Sequence, residues 1–381
     1  MQPSSTEIDH PPVSSTPPVS VREAAFSDYA AVAGLMEQYG METKAQDEWE
    51  HLWKGNPVYR QRGGNWPIGW VLESHDKKVV GFSGNIPVAC ELGGVTLTAA
   101  VTHGWVVASD YRSRSMLLAS KYFAQRDVDL LLNTTAGDKA EPIFRAFHAK
   151  PLPVKALDTA LFWVIDHRKF ARSTLLRKRV PLATTLSYPL AAVSAIMAWA
   201  KARGRLEGPY PTVTTAEGFD ERFDVFWQQL RKGARAITSV RDRSTLEWHF
   251  RGSLKSEGLW IYTYERHGKL TSYALFQRQD KPEVGLVRVR LVDYQSLDAN
   301  PVILDAMIAA ALRRCEAVGT QMLEVVGFAG QVRSRLERLA PFRRKLPSWL
   351  FYYKAVSKEL KVRLQDPQFW QPTSYDGDSS L

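Results

Sequence analysis

Residues 101–136 read VTHGWVVASDYRSRSMLLASKYFAQRDVDLLLNTTA, a strand, a basic turn, a helix and a second strand in succession. The turn, Asp110 to Ser115, lies where a strand hands its backbone to a helix N-terminus. Free N–H groups and the positive end of the helix dipole gather at such a junction. A phosphate or pyrophosphate suits that geometry, so this turn is the strongest chemical signal in the chain.

The surrounding sequence has 381 residues, 45% of them hydrophobic, enough for two domains of ordinary size. A formal net charge of +10 favours an anionic partner: a nucleotide cofactor, nucleic acid or an acidic membrane surface. The two cysteines, Cys90 and Cys315, are far apart and lack metal-ligand spacing. Neither a disulfide framework nor a metal site is expected. The N-terminus lacks a basic region followed by an apolar run, so no signal peptide is expected and a cytoplasmic location is.

Residues 1–20, rich in Pro, Ser and Thr, are expected to form a disordered tail. Between the tails the chain predicts two copies of one mixed pattern, an α+β protein. In the first, over 21–166, a strand at Val21–Ala24 precedes a helix through Gln38 and another at Gln46–Trp53. Strands follow at Gly69–Glu73, Lys78–Asn85, Val88–Leu92, Thr96–Ala100 and Thr102–Ala108. After the basic turn come a helix from Ser115 to about Arg126, a strand Asp129–Thr134 and a helix Glu141–Ala149. A strand at about Ala156–Ile165 is expected to close the unit.

The second copy, over 215–360, is looser. Helices are expected at Phe219–Arg231 and Ser244–Phe250, then strands at Leu259–Arg266, Leu270–Gln277 and Val284–Val292. A helix at about Pro301–Val318, a strand Met322–Val326, a helix Gln331–Leu339 and a last strand Trp349–Val356 complete it. The order matches the first copy, although no residue-level repeat is visible. The end of the chain, 361–381, reads as a loop-like tail that Phe369, Trp370 and Tyr375 could pin to a surface.

The connector, 167–214, contains a run without charge from Val180 to Ala200, bracketed by Arg177-Lys178-Arg179 and by Lys201, Arg203 and Arg205. Its length would span a bilayer. Its prolines, hydroxyl residues and six alanines make it only modestly hydrophobic. Three readings stay open: a linker and helix packed between the domains, a peripheral contact of 180–200 with anionic lipid, and a true span.

The stretch Tyr111-Arg112-Ser113-Arg114-Ser115-Met116-Leu117 resembles the acyl-CoA loop of the GNAT (Gcn5-related N-acetyltransferase) superfamily, usually written Q/R-x-x-G-x-G/A. The element order from Val21 to about Ile165 is similar to that family as well. The whole chain resembles tandem GNAT-like proteins, including those found beside bacterial polysaccharide-synthesis genes. The resemblance implies two tandem GNAT-like domains, each a mixed, mostly antiparallel sheet flanked by helices. It also implies acetyl-CoA or another acyl-CoA as co-substrate. Val106 and Val107 would lie beside the pantetheine arm, and Arg112, Ser113, Arg114 and Ser115 around the pyrophosphate. Both glycine positions of the motif are changed, to Ser115 and Leu117. Leu117 crowds the ligand if it faces the site and is harmless if it faces the core.

His103, on the strand before the loop, can serve as the base, or be a satisfied polar residue in a half-buried strand. Asn133 can orient the amine or the thioester carbonyl, or simply cap a strand end. The family's leaving-group tyrosine is absent from EPIFRAFHA, leaving His148 or water for that role. The second copy has an acidic stretch, Asp293 to Asp298, where the basic turn would fall, so a single cofactor site in the first domain is expected. Asp293 could hold an acceptor amine or cap a helix. Trp49, Trp53, Tyr59, Trp66 and Trp70 crowd the expected acceptor region.

The leading expectation is an acyl-CoA-dependent N-acyltransferase acting on an amino sugar or another small amine. A non-catalytic GNAT-like binding protein of a polysaccharide-assembly system is the second reading. An aminoacyl-tRNA-dependent transferase is the third, with nucleic acid disfavoured because no basic helix is dedicated to it. The oligomeric state is left open.

Overall fold

The computed structural model describes residues 18–381 except 138, 139, 203–205, 207, 299 and 347–349. The first half of the chain supplies β1 (Val19–Glu23), β2 (Gly69–Ser74), β3 (Val79–Leu92), β4 (Val95–Val107), β5 (Leu130–Ala136), β6 (Lys150–Pro151) and β7 (Thr159–Val164). Its helices are α1 (Tyr29–Gln38), α2 (Gln46–Lys54), α3 (Pro57–Gln61), α4 (Ser115–Phe123) and α5 (Glu141–Ala146). A helical pair follows, α6 (His167–Arg177) and α7 (Ala183–Ala202). The second half supplies β8 (Thr214–Ala216), β9 (Thr238–Ser239), β10 (Leu259–Arg266), β11 (Lys269–Arg278), β12 (Arg288–Ser296), β13 (Met322–Val325), β14 (Phe342–Lys345) and β15 (Leu350–Ala355). Its helices are α8 (Glu221–Gly233), α9 (Arg243–His249), α10 (Arg251–Lys255), α11 (Pro301–Ala317), α12 (Gly330–Leu339) and α13 (Lys358–Arg363).

These elements build two mostly antiparallel sheets flanked by helices, the two GNAT-like domains that the sequence implies. Four expected strands merge into the long β3–β4 hairpin. Pro87 does not interrupt it, because the pairing of β2 with β3 stops at Gly69–Gly84, so the missing N–H falls beyond that partner.

Each sheet contains strands from the other half of the chain: the first takes β15 and the two-residue β9, the second takes β7. The first sheet runs β1-β2-β3-β4-β5-β15-β6, with β9 also on β3; the second runs β14-β7-β13-β12-β11-β10-β8. The segment expected to close the first unit at about 156–165 therefore forms β7 but pairs with β13 and β14. The strand expected to complete the second copy, β15, pairs with β5 and β6 instead. An apolar run specifies a strand but not its neighbour, and both runs are largely apolar. The exchange ties the two sheets together by covalent crossings in both directions.

Two buried ionic clusters hold the second half together. Glu324 of β13 is fully buried and meets Arg288 at 3.1 Å, Arg290 at 2.8 Å and Arg344 at 2.5 Å. Burial alone would raise its pKa, but the three guanidiniums overcome this and hold the carboxyl at about 2. An unfolded glutamate takes up its proton near 4.5. The group's contribution is thus complete above about pH 4.5 and is lost as pH falls toward 2. The melting temperature is expected to rise from pH 2 to 4.5, with a shallower rise in Glu324→Gln, measurable by calorimetry across that range.

The end of the chain is not a surface tail. Trp370 is buried, as are all four residues of 372–375. The N-terminal tail expected over 1–20 lies outside the described residues up to position 17.

Candidate functional site

β4 and β5 are parallel neighbours only at Ala99–Leu130, Ala100–Leu131 and Val101–Leu132. Beyond Val101, β4 continues to Val107 paired with β3, while β5 continues to Ala136 paired with β15. The sheet therefore forks at Thr102 and Asn133. A β-bulge sits on β4 at this point: Gly84 faces His103, but Phe82 faces Val106, so β4 carries one extra residue. Gly104, at φ +63°, supplies the left-handed backbone of the bulge. Glycine inside a strand pattern is the sequence signal for it. Tyr122 of α4 stands over the fork. Its buried hydroxyl lies 2.7 Å from Ala100 O and 2.9 Å from Leu132 O, donating to one at a time.

Because successive strand residues alternate in direction, the two catalytic candidates lie on opposite faces of the sheet. Asn133 shares the α5 face with Thr102, which its side-chain amide contacts at 2.5 Å. Asn133 Oδ1 is buried without a hydrogen-bond partner. Whichever way the amide is turned, one of its two polar atoms stays unpaired. A buried orphan is costly unless a ligand satisfies it. Tyr352, the cross-strand neighbour of Asn133, stacks on Phe144 of α5 at 5.2 Å. Burial raises its phenol above the usual range, so it stays protonated. The exchanged strand thus places a tyrosine beside the fork that the local sequence EPIFRAFHA could not show. His148, the expected substitute, is exposed, with φ +60° after the end of α5.

On the other face, toward α1 and α2, His103 Nδ1 lies 3.3 Å from Asp378 Oδ2. Asp378 is in turn fixed to β5, its Oδ1 accepting from Thr134 Oγ1 at 2.9 Å and Thr135 Oγ1 at 3.2 Å. Gly377 lets the chain come this close: a Cβ there would stand 2.2 Å from Thr134 Oγ1. A carboxylate on Nδ1 selects the tautomer with its proton there and leaves Nε2 as an acceptor. His103 and Asp378 line a cavity of about 330 Å³ with Tyr29, Lys44, Glu48 and Trp49. The indole N–H of Trp49 is buried and unpartnered. Burial holds Lys44 below the ordinary lysine range, with Nζ donating to Leu381 O at 3.0 Å. Of the five aromatics expected near the acceptor, Trp49 lines this cavity, whereas Trp53, Trp66 and Trp70 are buried core. Asp378 was invisible as a site residue: it lies 275 positions from His103 in a loop-like tail.

The basic turn takes a different shape from the one expected. Ser109–Arg114 is a 3-10 helix running directly into α4, and Ser115 N–H bonds Arg112 O. No residue from Ser109 to Phe123 has positive φ. Without the motif's glycines the backbone stays right-handed, and part of its N–H set is used internally. An anion bound at this turn would rest more heavily on the side chains. Arg112 and Ser113 are exposed, and Arg114 and Ser115 half-buried. Leu117 is 38% exposed, so it faces outward rather than into the core. Val106 is buried, and from Thr102 to Val107 the β4 backbone has no strand partner on the β5 side among the described residues. α4 and α5 stay together at their C-terminal ends, where Phe123 stacks on Phe147 at 4.9 Å. Their N-terminal ends lie at the open end of the fork, since each helix returns antiparallel to its strand.

The second sheet repeats the fork and fills it. β12 and β13 pair in parallel only from Arg288–Met322 to Leu291–Val325. The chain's own segment 372–375 occupies the opening. Tyr375 N–H donates to Val292 O at 3.0 Å, Ser374 Oγ to Val326 O at 2.9 Å, and Phe328 N–H to Pro372 O at 2.8 Å. Asp293 neither caps a helix nor faces an acceptor. It is fully buried in β12, bonded to Arg241 Nε at 2.8 Å, with Asp376 at 3.2 Å from Arg241 Nη2. This network anchors the segment that carries Asp378 to the first fork.

The fold is GNAT-like in both sheets, and the fork of the first is open. Among solved structures, the chain is similar to a GCN5-related N-acetyltransferase from Anabaena variabilis, with a TM-score of 0.55, 12% identity, and coverage of 89% of this chain and 73% of that one. It is also similar to a conserved protein from Enterococcus faecalis described as a probable N-acyltransferase, with a TM-score of 0.53 and 12% identity over 89% of this chain and 72% of that one. No protein-family model matches the sequence, and no curated protein is significantly similar to it.

Proposed function

We propose that the chain is an acyl-CoA-dependent N-acyltransferase acting on a small amine, an amino sugar being the leading acceptor class. The observation that carries this reading is the fork in the first sheet: an unpaired β4 edge beside an orphaned Asn133 amide on one face, and the His103–Asp378 pair on the other. An extended amide-bearing arm can add to a free strand edge as another strand would. Arg112 and Arg114, at the open end of the fork, suit its pyrophosphate.

The acceptor would enter from the α1–α2 side. The cavity there, about 330 Å³, is at the lower end of the usual small-molecule range of roughly 300–1,000 Å³. Its lining carries Glu42, Glu48 and Asp378 against a single Lys44, a balance that attracts a cationic amine. In the reaction the bound ammonium first gives one proton to His103 Nε2 and on to solvent. The neutral amine nitrogen then bonds to the thioester carbonyl carbon, the carbon–sulfur bond breaks, and the second proton on nitrogen passes to His103 Nε2. Tyr352 is placed to return a proton to the departing sulfur, and the Asn133 amide to orient the reacting carbonyl.

The test is thiol release from acetyl-CoA and longer acyl-CoAs with a panel of amino sugars and simple amines. Amine-dependent release supports the proposal; none with any pair contradicts it. Arg112→Ala and Arg114→Ala are each expected to weaken acyl-CoA binding roughly 10- to 100-fold, the loss of a hydrogen bond to a charged group. Unchanged affinity in both would remove the turn from the site.

A further inference from the structure

Helix α7 is built with its large side chains outward. Its buried and half-buried positions are Ala183, Ser187, Ala191, Ser194, Ala195 and Ala198, one stripe at helical spacing. The bulky apolar residues face away: Leu190, Val193, Ile196 and Trp199 are 45%, 55%, 66% and 64% exposed. The helix rests on α6 through small and polar contacts. His167 Nδ1 meets Ser194 Oγ at 2.8 Å, and the Arg168 guanidinium lies 4.1 Å from the centre of the Tyr188 ring. α6 is itself held to the second sheet by Ser173, whose Oγ lies 3.1 Å from Gly285 O. The reading of this segment as a helix packed between the domains is therefore not what the structure presents.

A protein surface in water does not ordinarily turn alanine and serine inward and isoleucine and tryptophan outward. The outer face of α7 is matched to an apolar medium about 30 Å along, the length of a 20-residue helix. The charges around it say which medium. From His167 to Ala202 the chain contains no Asp or Glu. It does contain Arg168, Lys169, Arg172, Arg177, Lys178 and Arg179 on and after α6, and Lys201 at the far end of α7. A second copy docked by a two-fold axis would bring this basic collar against its own image. A bilayer with anionic headgroups supplies the opposite charge and the apolar layer together. A span is disfavoured, because α6 packs alongside and would carry its arginines into hydrocarbon.

We propose that α7 is an interfacial docking helix, which lies in the plane of an anionic membrane with its outer face in the acyl boundary and the α6 cations at the headgroups. The proposal stands independently of the acyl-transfer reading. The test is flotation of the full chain with vesicles of phosphatidylcholine alone and with phosphatidylglycerol added at about one third. Wild type is expected to float with the anionic vesicles, less with the neutral ones, and progressively less as salt rises. Ile196→Glu and Val193→Glu, both at exposed positions, are expected to reduce the floated fraction at least tenfold while keeping the wild-type melting profile. Absence of flotation, or flotation of both variants equal to wild type, would overturn the proposal. So would a wild-type dimer in light scattering that Ile196→Glu dissociates without any vesicle binding, which would make a second copy the occupant.

Discussion

His103→Ala is expected to lower the rate of acyl transfer by about 10²- to 10⁴-fold, the usual contribution of a positioned general base. The side chain lines the cavity proposed for the acceptor and its Nδ1 lies 3.3 Å from Asp378, so that in the proposed reaction Nε2 receives the amine proton. Acyl-CoA affinity should stay close to wild type, because the proposed cofactor contacts lie on the Asn133 face and at the basic turn. Asp378→Asn should show a smaller loss of the same kind, since asparagine no longer enforces the Nδ1-protonated tautomer. Steady-state kinetics with the best amine, alongside acyl-CoA titrations, separate these effects. Full activity in His103→Ala would assign the histidine to structure alone. A loss of acyl-CoA binding equal to the loss of rate would show the fork itself had been damaged.

Arg241→Ala is expected to destabilise the protein by about 3–5 kcal/mol, the cost of leaving buried charges unpaired. Arg241 and Asp293 are both fully buried. Burial alone would lower the pKa of the guanidinium, but Asp293 and Asp376 outweigh it and raise that pKa well above the ordinary value. Its Nη1 donates to Ser239 O at 2.7 Å, reaching back to the strand that joins the first sheet, and its face covers Tyr375 at 4.5 Å. One side chain therefore links β9, β12 and the segment 372–378. Urea denaturation should show a midpoint lowered by about 1–2 M, taking a slope of about 3 kcal/mol per molar, against a loss of roughly 0.5 kcal/mol for an ordinary surface substitution. Acyl transfer should fall as well at temperatures where the variant remains folded, because the same segment carries Asp378 to His103. A loss of less than about 1 kcal/mol would mean the cluster is held by other contacts.

The strand–turn–helix–strand unit at 101–136, the α1–α2 pair and the repeat of the element order were legible because each depends on local periodicity. The site was legible only in half. His103 and Asn133 stand at the fork, but on opposite faces, a relation that depends on where the pairing of β4 with β5 stops. The bulge at Gly104 left a trace, a glycine within a strand, whose consequence needs the partner strand's register. Three other features left no local trace. The exchange of β7 and β15 is a choice of neighbours between similar apolar strands. Tyr352 reaches the fork by that exchange, and Asp378 by the path of 372–378 through the second fork. The acidic stretch at Asp293 reads as unfavourable to a second anion site; in the structure its carboxylate is bound by Arg241 and the opening is filled by the chain itself.

The central claim is that one fork is open to acyl-CoA and the other is closed. Calorimetric titration of acetyl-CoA into the full chain measures both parts at once. One saturable site per chain, weakened in the Arg112→Ala variant and unaffected by His103→Ala, is the predicted result. No binding by acetyl-CoA or any longer acyl-CoA, or two sites per chain, would contradict the account.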